Sequence, residues 1–357
     1  MIIDAVDLEP VTLRKEDPNW RFALGASPIT EGLIVRLQTD DGEVGEGYAS
    51  AVPHMGAILG TVKAELELFR PILIGKDPTR IEAILGELDR AIRGAPQAKA
   101  AIDCALYDLQ ARALGVPLCQ LLGGQVRDSV PVLRILAIKT PKEMAVQAQK
   151  LVDKGYSYLK IKLEGEVEED VARVAAVRGQ VGGQVHLTVD ANQSYTPKAA
   201  ISALMRIAEY GIDLVEQPVP VGDRRGLKLV TELVPVAVEA DEAAGSLADI
   251  YELVSGEIVD AVSLKVPKLG GLRNTLAAAR LCEAAGVRYR LGAAVGSRLL
   301  AAQALHLACA LAGVDYACEL GEFDRLLDDP FEGLEVERGV LKLPPGPGSG
   351  VRRRKSN

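Results

Sequence analysis

Five ionisable residues recur along the chain at almost one interval. Lys162, Asp190, Glu216, Asp241 and Lys265 stand 28, 26, 25 and 24 residues apart, and each closes a short apolar, β-branched run. Eight such runs can be read: VPVLRILA, YLKIKL, VHLTVDA, DLVEQP, VAVEADE, AVSLKV, RYRLGA and DYACEL. All but the last are followed by an alanine-rich stretch of helix length. Strands alternating with helices require a parallel sheet with helical crossovers, and eight units predict a closed (β/α)₈ barrel. An open doubly wound sheet would want a glycine-rich GxGxxG loop after an early strand, and none stands there.

The chain upstream has a different texture. In EGLIVRLQTDDGEVGEGYA, Leu33, Val35 and Leu37 alternate with Ile34, Arg36 and Gln38 before a DDG turn, which predicts a β-meander. In QAKAAIDCALYDLQARALGVP, Ile102, Ala105, Leu106 and Leu109 fall on one helical face, and Gly115 and Pro117 stop the helix. The expected division is an α+β domain over residues 1–125, a barrel over 126–325 and a C-terminal segment over 326–357. That segment should form a short hairpin and end in a frayed, disordered RRRK tail.

A chain of 357 residues suits two domains or a barrel with an appendage. A net charge of −8 without a basic stripe argues against a nucleic-acid surface. No apolar run reaches the roughly 18–20 residues of a membrane span. The acidic start, MIIDAVDLEP, lacks the basic region of a secretory signal. Five scattered cysteines predict neither a disulfide framework nor a metal finger, so Cys104, Cys282 and Cys309 are read as small core residues. A reducing cytoplasm is the expected compartment.

In a parallel barrel the C-terminal strand ends converge on one mouth, so the five ionisable groups should meet there. One acid at a strand end is usually a solvated surface residue; three in register are not readily so explained. Asp190, Glu216 and Asp241 could share a small site while ionised only around a cation. Oxygen ligands without histidine or cysteine point to Mg²⁺, or Mn²⁺, rather than zinc. Asn192, on the same face as Asp190, could hold the ligands in place. Lys160 and Lys162 also share a face, opposite Lys265 and Lys268. A structural ion pair would explain one lysine, less easily four. Lysines crowded by each other and by a cation should have lowered pKa values, which suits a base. A cation on a substrate carboxylate, with a lysine on either side of the α-carbon, could remove a proton from one face and return it on the other.

These motifs, KIK, VDAN, EQP, ADE and SLKVPKLGG, together with AAIDCALYDLQARALGVPLCQLLGG, resemble the enolase superfamily in its muconate-lactonising and dipeptide-epimerase branch. The resemblance implies an α/β fold: a modified TIM barrel, (β/α)₇β, with an N-terminal α+β capping domain to which the C-terminal segment returns. By that similarity Asp190, Glu216 and Asp241 bind Mg²⁺, Lys162 and Lys265 form the acid/base pair, and Lys160 assists near the substrate carboxylate. Lys268 is also assigned to substrate binding. LRKEDPNWRFALGASP resembles the mobile loop that closes over substrate, making Trp20 a candidate pocket wall, with ordinary packing the equal alternative. His54 is read as structural. The seventh strand, RLGAAVGS, offers no catalytic histidine. Dipeptide epimerases usually carry Asp-x-Asp after the eighth strand; here CELGEFDRL leaves Glu319, Glu322 and Asp324 to meet a substrate ammonium. The resemblance also implies a homo-oligomer acting on a small carboxylate.

The favoured reaction is racemisation or epimerisation of an amino-acid derivative through an ene-diolate. Muconate-type cycloisomerisation, β-elimination as from a hydroxyproline, and o-succinylbenzoate synthesis would use the same lysines. A Schiff-base aldolase and a non-catalytic metal-binding barrel are the alternatives of other classes.

Overall fold

The computed structural model describes residues 1–355. The chain opens with an antiparallel meander, β1 (Ile3–Lys15), β2 (Ile29–Thr39) and β3 (Val44–Ala51), in which β2 is central. The turn between β2 and β3 is the expected one: Gly42 takes a φ of +89° and its N–H donates to the Thr39 carbonyl. Helices α1 (Leu59–Leu73), α2 (Ile81–Ala91) and α3 (Pro96–Ala113) cover one face of this sheet. Helix α3 is apolar on several sides. Ile102, Ala105, Leu106 and Leu109 pack into the cap's core, while Cys104 and Ala111 belong to the larger barrel core, so one helix joins both.

Seven parallel strands follow in simple order: β4 (Arg134–Leu136), β5 (Tyr158–Lys162), β6 (His186–Asp190), β7 (Ile212–Glu216), β8 (Ala237–Ala240), β9 (Ala261–Lys265) and β10 (Arg288–Gly292). Between and after them run α4 (Pro141–Asp153), α5 (Val167–Val181), α6 (Pro197–Ile207), α7 (Arg224–Leu233), α8 (Leu247–Ser255), α9 (Leu272–Ala285) and α10 (Arg298–Ala310). The eighth predicted run is too irregular to be a strand but closes the sheet. Glu319 N–H donates to Leu291 O on β10, and Leu133 N–H donates to Cys318 O on the other edge. The barrel is therefore (β/α)₇β-like, with no crossover helix after its last segment. The first predicted run is split: Ser129–Pro131 pairs antiparallel with Val340–Lys342, and only Arg134–Leu136 joins the barrel sheet. No helix among the described residues is long and apolar enough to cross a membrane. All five cysteines are buried and unpaired.

The tail departs from expectation. After the barrel the chain climbs back to the cap, where β11 (Leu326–Leu327) pairs with the end of β1. Strand β12 (Phe331–Glu332) pairs with β13 (Arg352–Arg353). Arg353 bonds Glu46 at 2.7 Å and Glu9 at 2.6 Å. The arginines expected to fray are held because cap carboxylates and a strand edge await them. Beneath Glu46, β3 presses directly on α3: a Cβ at Gly47 would fall 1.9 Å from the Ala101 carbonyl oxygen. Neither backbone can yield, so Gly47→Ala is expected to cost near the upper end of the about 1–3 kcal/mol typical of overpacking. Urea denaturation checks this; an unchanged midpoint would contradict the close approach.

Candidate active site

Residues two apart on a strand share a face, so each barrel strand can send two successive side chains inward. Sheet register aligns them: Lys162 lies beside Asp190, Asp190 beside Glu216, and Glu216 beside Glu239. The convergence expected from the spacing is present. Lys160 is wholly buried; its Nζ donates to Glu216 (2.8 Å) and Glu319 and stands 3.3 Å from Asp190. Lys162 Nζ donates to Asp190 at 2.5 Å and to Asn192 Oδ1 at 2.7 Å. Across the mouth, Lys265 Nζ donates to Asp241 at 2.7 Å and lies 3.6 Å from Glu216 and 3.5 Å from Glu319.

Burial alone would drive these groups neutral, and here attraction outweighs it. Desolvation would lower Lys160, but Glu216, Glu319 and Asp190 raise it well above the ordinary lysine value. Lys265 is likewise raised, against desolvation, by Asp241, Glu319 and Glu216. For Lys160 and Lys265 without a metal ion, the carboxylates therefore outweigh the like charges that were expected to lower them. Desolvation would raise Glu216, yet Lys160, Arg290 and Lys265 hold it down to about 2; Lys160 and Lys265 do the same for Glu319.

The three acids were also expected to hold a cation. Asp190, Glu216 and Asp241 are buried, all-oxygen donors, and Glu216 Oε1 has no hydrogen-bond partner among the described residues. One ammonium touches both Asp190 and Glu216, and another lies within 4 Å of both Asp241 and Glu216, so the carboxylates surround shared points. As the side chains stand, among the described residues no three acids, histidines or cysteines close on a point by themselves. Lysines lie between them. The donor set fits a hard divalent ion, whose binding would replace ammonium contacts with metal ones.

Asn192, expected to support the ligands, bonds one of the three acids and a lysine. Its N–H donates to Asp190 Oδ1 (2.9 Å), its Oδ1 accepts from Lys162, and its Nδ2 donates to Glu242 (3.2 Å). Lys268 does not reach the substrate space. It sits on the short helix Val266–Leu269, and its Nζ donates to the Asp241 carboxylate, the Asp241 carbonyl and the Ser263 carbonyl. With three donors engaged, it holds Asp241. Glu322 faces Arg325 and the Ile135 N–H, and Asp324 lies 3.6 Å from Arg134, so neither lines the mouth.

Over the charged floor lies a cavity of about 100 Å³, to which Lys162, Lys265, Asn192, Asp241 and Glu319 contribute. Its roof comes from the cap. Trp20 is 5% exposed, stacks near Phe22 at 5.6 Å and carries Lys15 Nζ 3.9 Å above its ring. Phe22 in turn meets His54 edge-on at 5.1 Å, placing His54 at the rim as packing. Burial pushes Lys15 down to about 8. Lys15, Phe22, Arg290 and Glu239 were not singled out in the sequence. For the last two the signal was available: each stands two residues before a strand-end position, as Lys160 does.

The charge lattice has a pH signature. Glu216 and Glu319 ionise near 2, against 4.5 for an ordinary glutamate. Their stabilisation is present above about 4.5 and is lost as pH falls towards 2. The urea midpoint should therefore drop steeply across that window, and less steeply in Lys160→Met. Equal slopes would exclude the shared ammonium as the cause.

Comparison with known proteins agrees with this architecture. Residues 143–356 match the family "Enolase C-terminal domain-like", and residues 10–123 match "Mandelate racemase / muconate lactonizing enzyme, N-terminal domain". The chain is 38% identical to a hydrophobic dipeptide epimerase of Enterococcus faecalis, over 93% of this chain and 94% of that one. It is 31% identical to an N-succinyl-L-Arg/Lys racemase of Bacillus cereus, over 96% and 97%. A chloromuconate cycloisomerase of Delftia acidovorans shares 35%, over 86% and 85%. Among solved structures, the Enterococcus faecalis epimerase complexed with Mg and L-Leu-L-Tyr superposes with a TM-score of 0.93 at 36% identity, covering 98% of this chain and 99% of that one. The Bacillus cereus racemase gives 0.96 at 29%, covering 99% and 96%.

Proposed function

Since the chain belongs to the mandelate racemase/muconate lactonizing enzyme family of the enolase superfamily and is an isomerase, we propose that it racemises or epimerises an N-acylated amino acid. The observation that carries this is the pair Lys162 and Lys265, on strands across the mouth from each other and both facing one cavity. A carboxylate placed at the floor presents its α-carbon between them. With the acids turned to a metal ion, and so no longer holding the ammonium, one lysine would remove the proton as the free amine and the other would return it as the ammonium. Asp190, Glu216 and Asp241 would hold Mg²⁺, which would supply positive charge opposite the substrate carboxylate as negative charge builds there. Lys160 keeps its charge at the floor and adds to that stabilisation. Asn192 and Lys268 fix the ligands; Trp20 and Phe22 cover the site and exclude water.

The acyl group points to the roof. Glu319, the residue best placed to receive a substrate ammonium, is held by Lys160. Lys15 is the charged group on the roof side, bound to Ser27 at 2.8 Å and facing the cavity. This favours a neutral or anionic acyl end over an ammonium-bearing one, and so an N-acyl amino acid such as the succinyl type over a plain dipeptide. Muconate-type cycloisomerisation is the second reading, favoured by the same lysine, which would meet the second carboxylate of a diacid.

The test is proton NMR in D₂O with Mg²⁺, comparing N-succinyl amino acids, dipeptides and muconates. Deuterium should enter the α-position of N-acyl substrates of both hands, and EDTA should abolish it. Lys162→Ala and Lys265→Ala should each lower racemisation by about 10²–10⁴-fold. Each should retain α-exchange in one enantiomer only, opposite for the two variants. Lactone formation from a muconate without α-exchange in any amino-acid derivative would replace the reading with the second one.

A further inference from the structure

The barrel has a second chamber at its opposite, N-terminal end, a cavity of about 380 Å³. Barrel interiors at this end are ordinarily filled by side chains. Here Arg290 reaches into it from the layer beneath the active site. Its Nη2 donates to Glu216 and Glu239, but its Nε and Nη1 are buried with no hydrogen-bond partner among the described residues. Arg290 has no solvent exposure at all. Two further buried polar atoms on the chamber's lining, Thr188 Oγ1 and Tyr316 OH, are also without partners.

The charges around the chamber are uneven. Arg127 and Arg288 line it and form no ion pair among the described residues; Arg127 donates to the Ala312 carbonyl, and Arg288 lies 5.2 Å from the Tyr316 ring. The two carboxylates on the wall are engaged. Asp213 lies 2.9 Å from His186 Nδ1, and Asp315 accepts from the Tyr289 N–H. His186 stacks flat on Tyr158 at 4.6 Å, making one wall planar. Four unpartnered hydrogen-bonding atoms and two unpaired guanidinium groups thus belong to residues lining the chamber; its two aspartates each bond a neighbour, and Glu239 Oε1, beside Arg290, is also without a partner among the described residues. An unsatisfied buried donor is unfavourable, and guanidinium groups match the oxygens of carboxylate or phosphate.

We propose that this chamber is a binding site for a small oxyanion, of carboxylate or phosphate type, separate from the catalytic mouth. Arg290, Thr188 and Tyr316 donate to it from inside, and Arg127 and Arg288 screen its charge at the entrance.

The test is thermal unfolding of the metal-free protein titrated with inorganic phosphate or with succinate, at ionic strength fixed with sodium chloride. A ligand that binds only the folded state raises the midpoint with concentration. One of the two anions should do so, and the stronger names the class. Arg288→Gln, at an exposed position, should weaken the half-saturation by about tenfold, the scale of one lost charge-assisted contact. Thr188→Val should weaken it less, and Lys265→Ala, at the other mouth, should leave it unchanged. Three results would overturn the proposal: no rise with either anion, a rise abolished by Lys265→Ala but not by Arg288→Gln, or a rise matched by chloride alone.

Discussion

The ammonium of Lys160 is wholly buried, and among the described residues its charge is met by Asp190, Glu216 and Glu319. That requirement ties together strands β5, β6 and β7 and the closing segment after β10. A one-residue slip of any of these strands would send its charged group towards the helices and leave the others buried without counter-charge. Register, closure of the barrel and placement of the acids are thus one constraint. Such a lattice is weak evidence for stability, since buried ion pairs often do no better than apolar packing. It is strong evidence of a barrel arranged for something other than stability.

The cap completes what the barrel begins. The floor is charged and the roof is aromatic, so a substrate would meet a hard, ionic end and a soft, enclosing one. Trp20 and Phe22 are contributed by the loop between β1 and β2, far in sequence from the lysines they cover. One domain sets the chemistry and the other encloses it, a division common where loops are carried on a rigid scaffold.

Much of this was legible in the chain before any coordinates. The interval of 24 to 28 residues between strand-end charges gave both the barrel and the mouth, because a βα unit has a nearly constant length and one polar end. What escaped did so for physical reasons. Glu239 and Arg290 lie two residues before a strand end, as Lys160 does, but no second charge one βα unit away marks their layer as the spacing marks the mouth. Lys268 was placed among substrate contacts because spacing cannot tell a side chain facing a cavity from one spending its donors on a neighbour. The tail RRRK looks solvated in sequence because the partners of Arg353, Glu9 and Glu46, lie more than 300 positions away. Linear reading has no view of that distance. Lowered lysines were expected from like charges and a bound cation; without the cation, the closely approaching acids raise Lys160 and Lys265.

The pairing of Arg353 with Glu9 and Glu46 has a consequence for how the two ends of the fold depend on each other. Residues more than 300 positions apart are joined by charge, and β11 adds a short ladder to the end of β1. The meander thus borrows part of its border from the segment that leaves the barrel. Loosening that segment would expose the end of β1 to other strands while the meander's own pairing stayed intact.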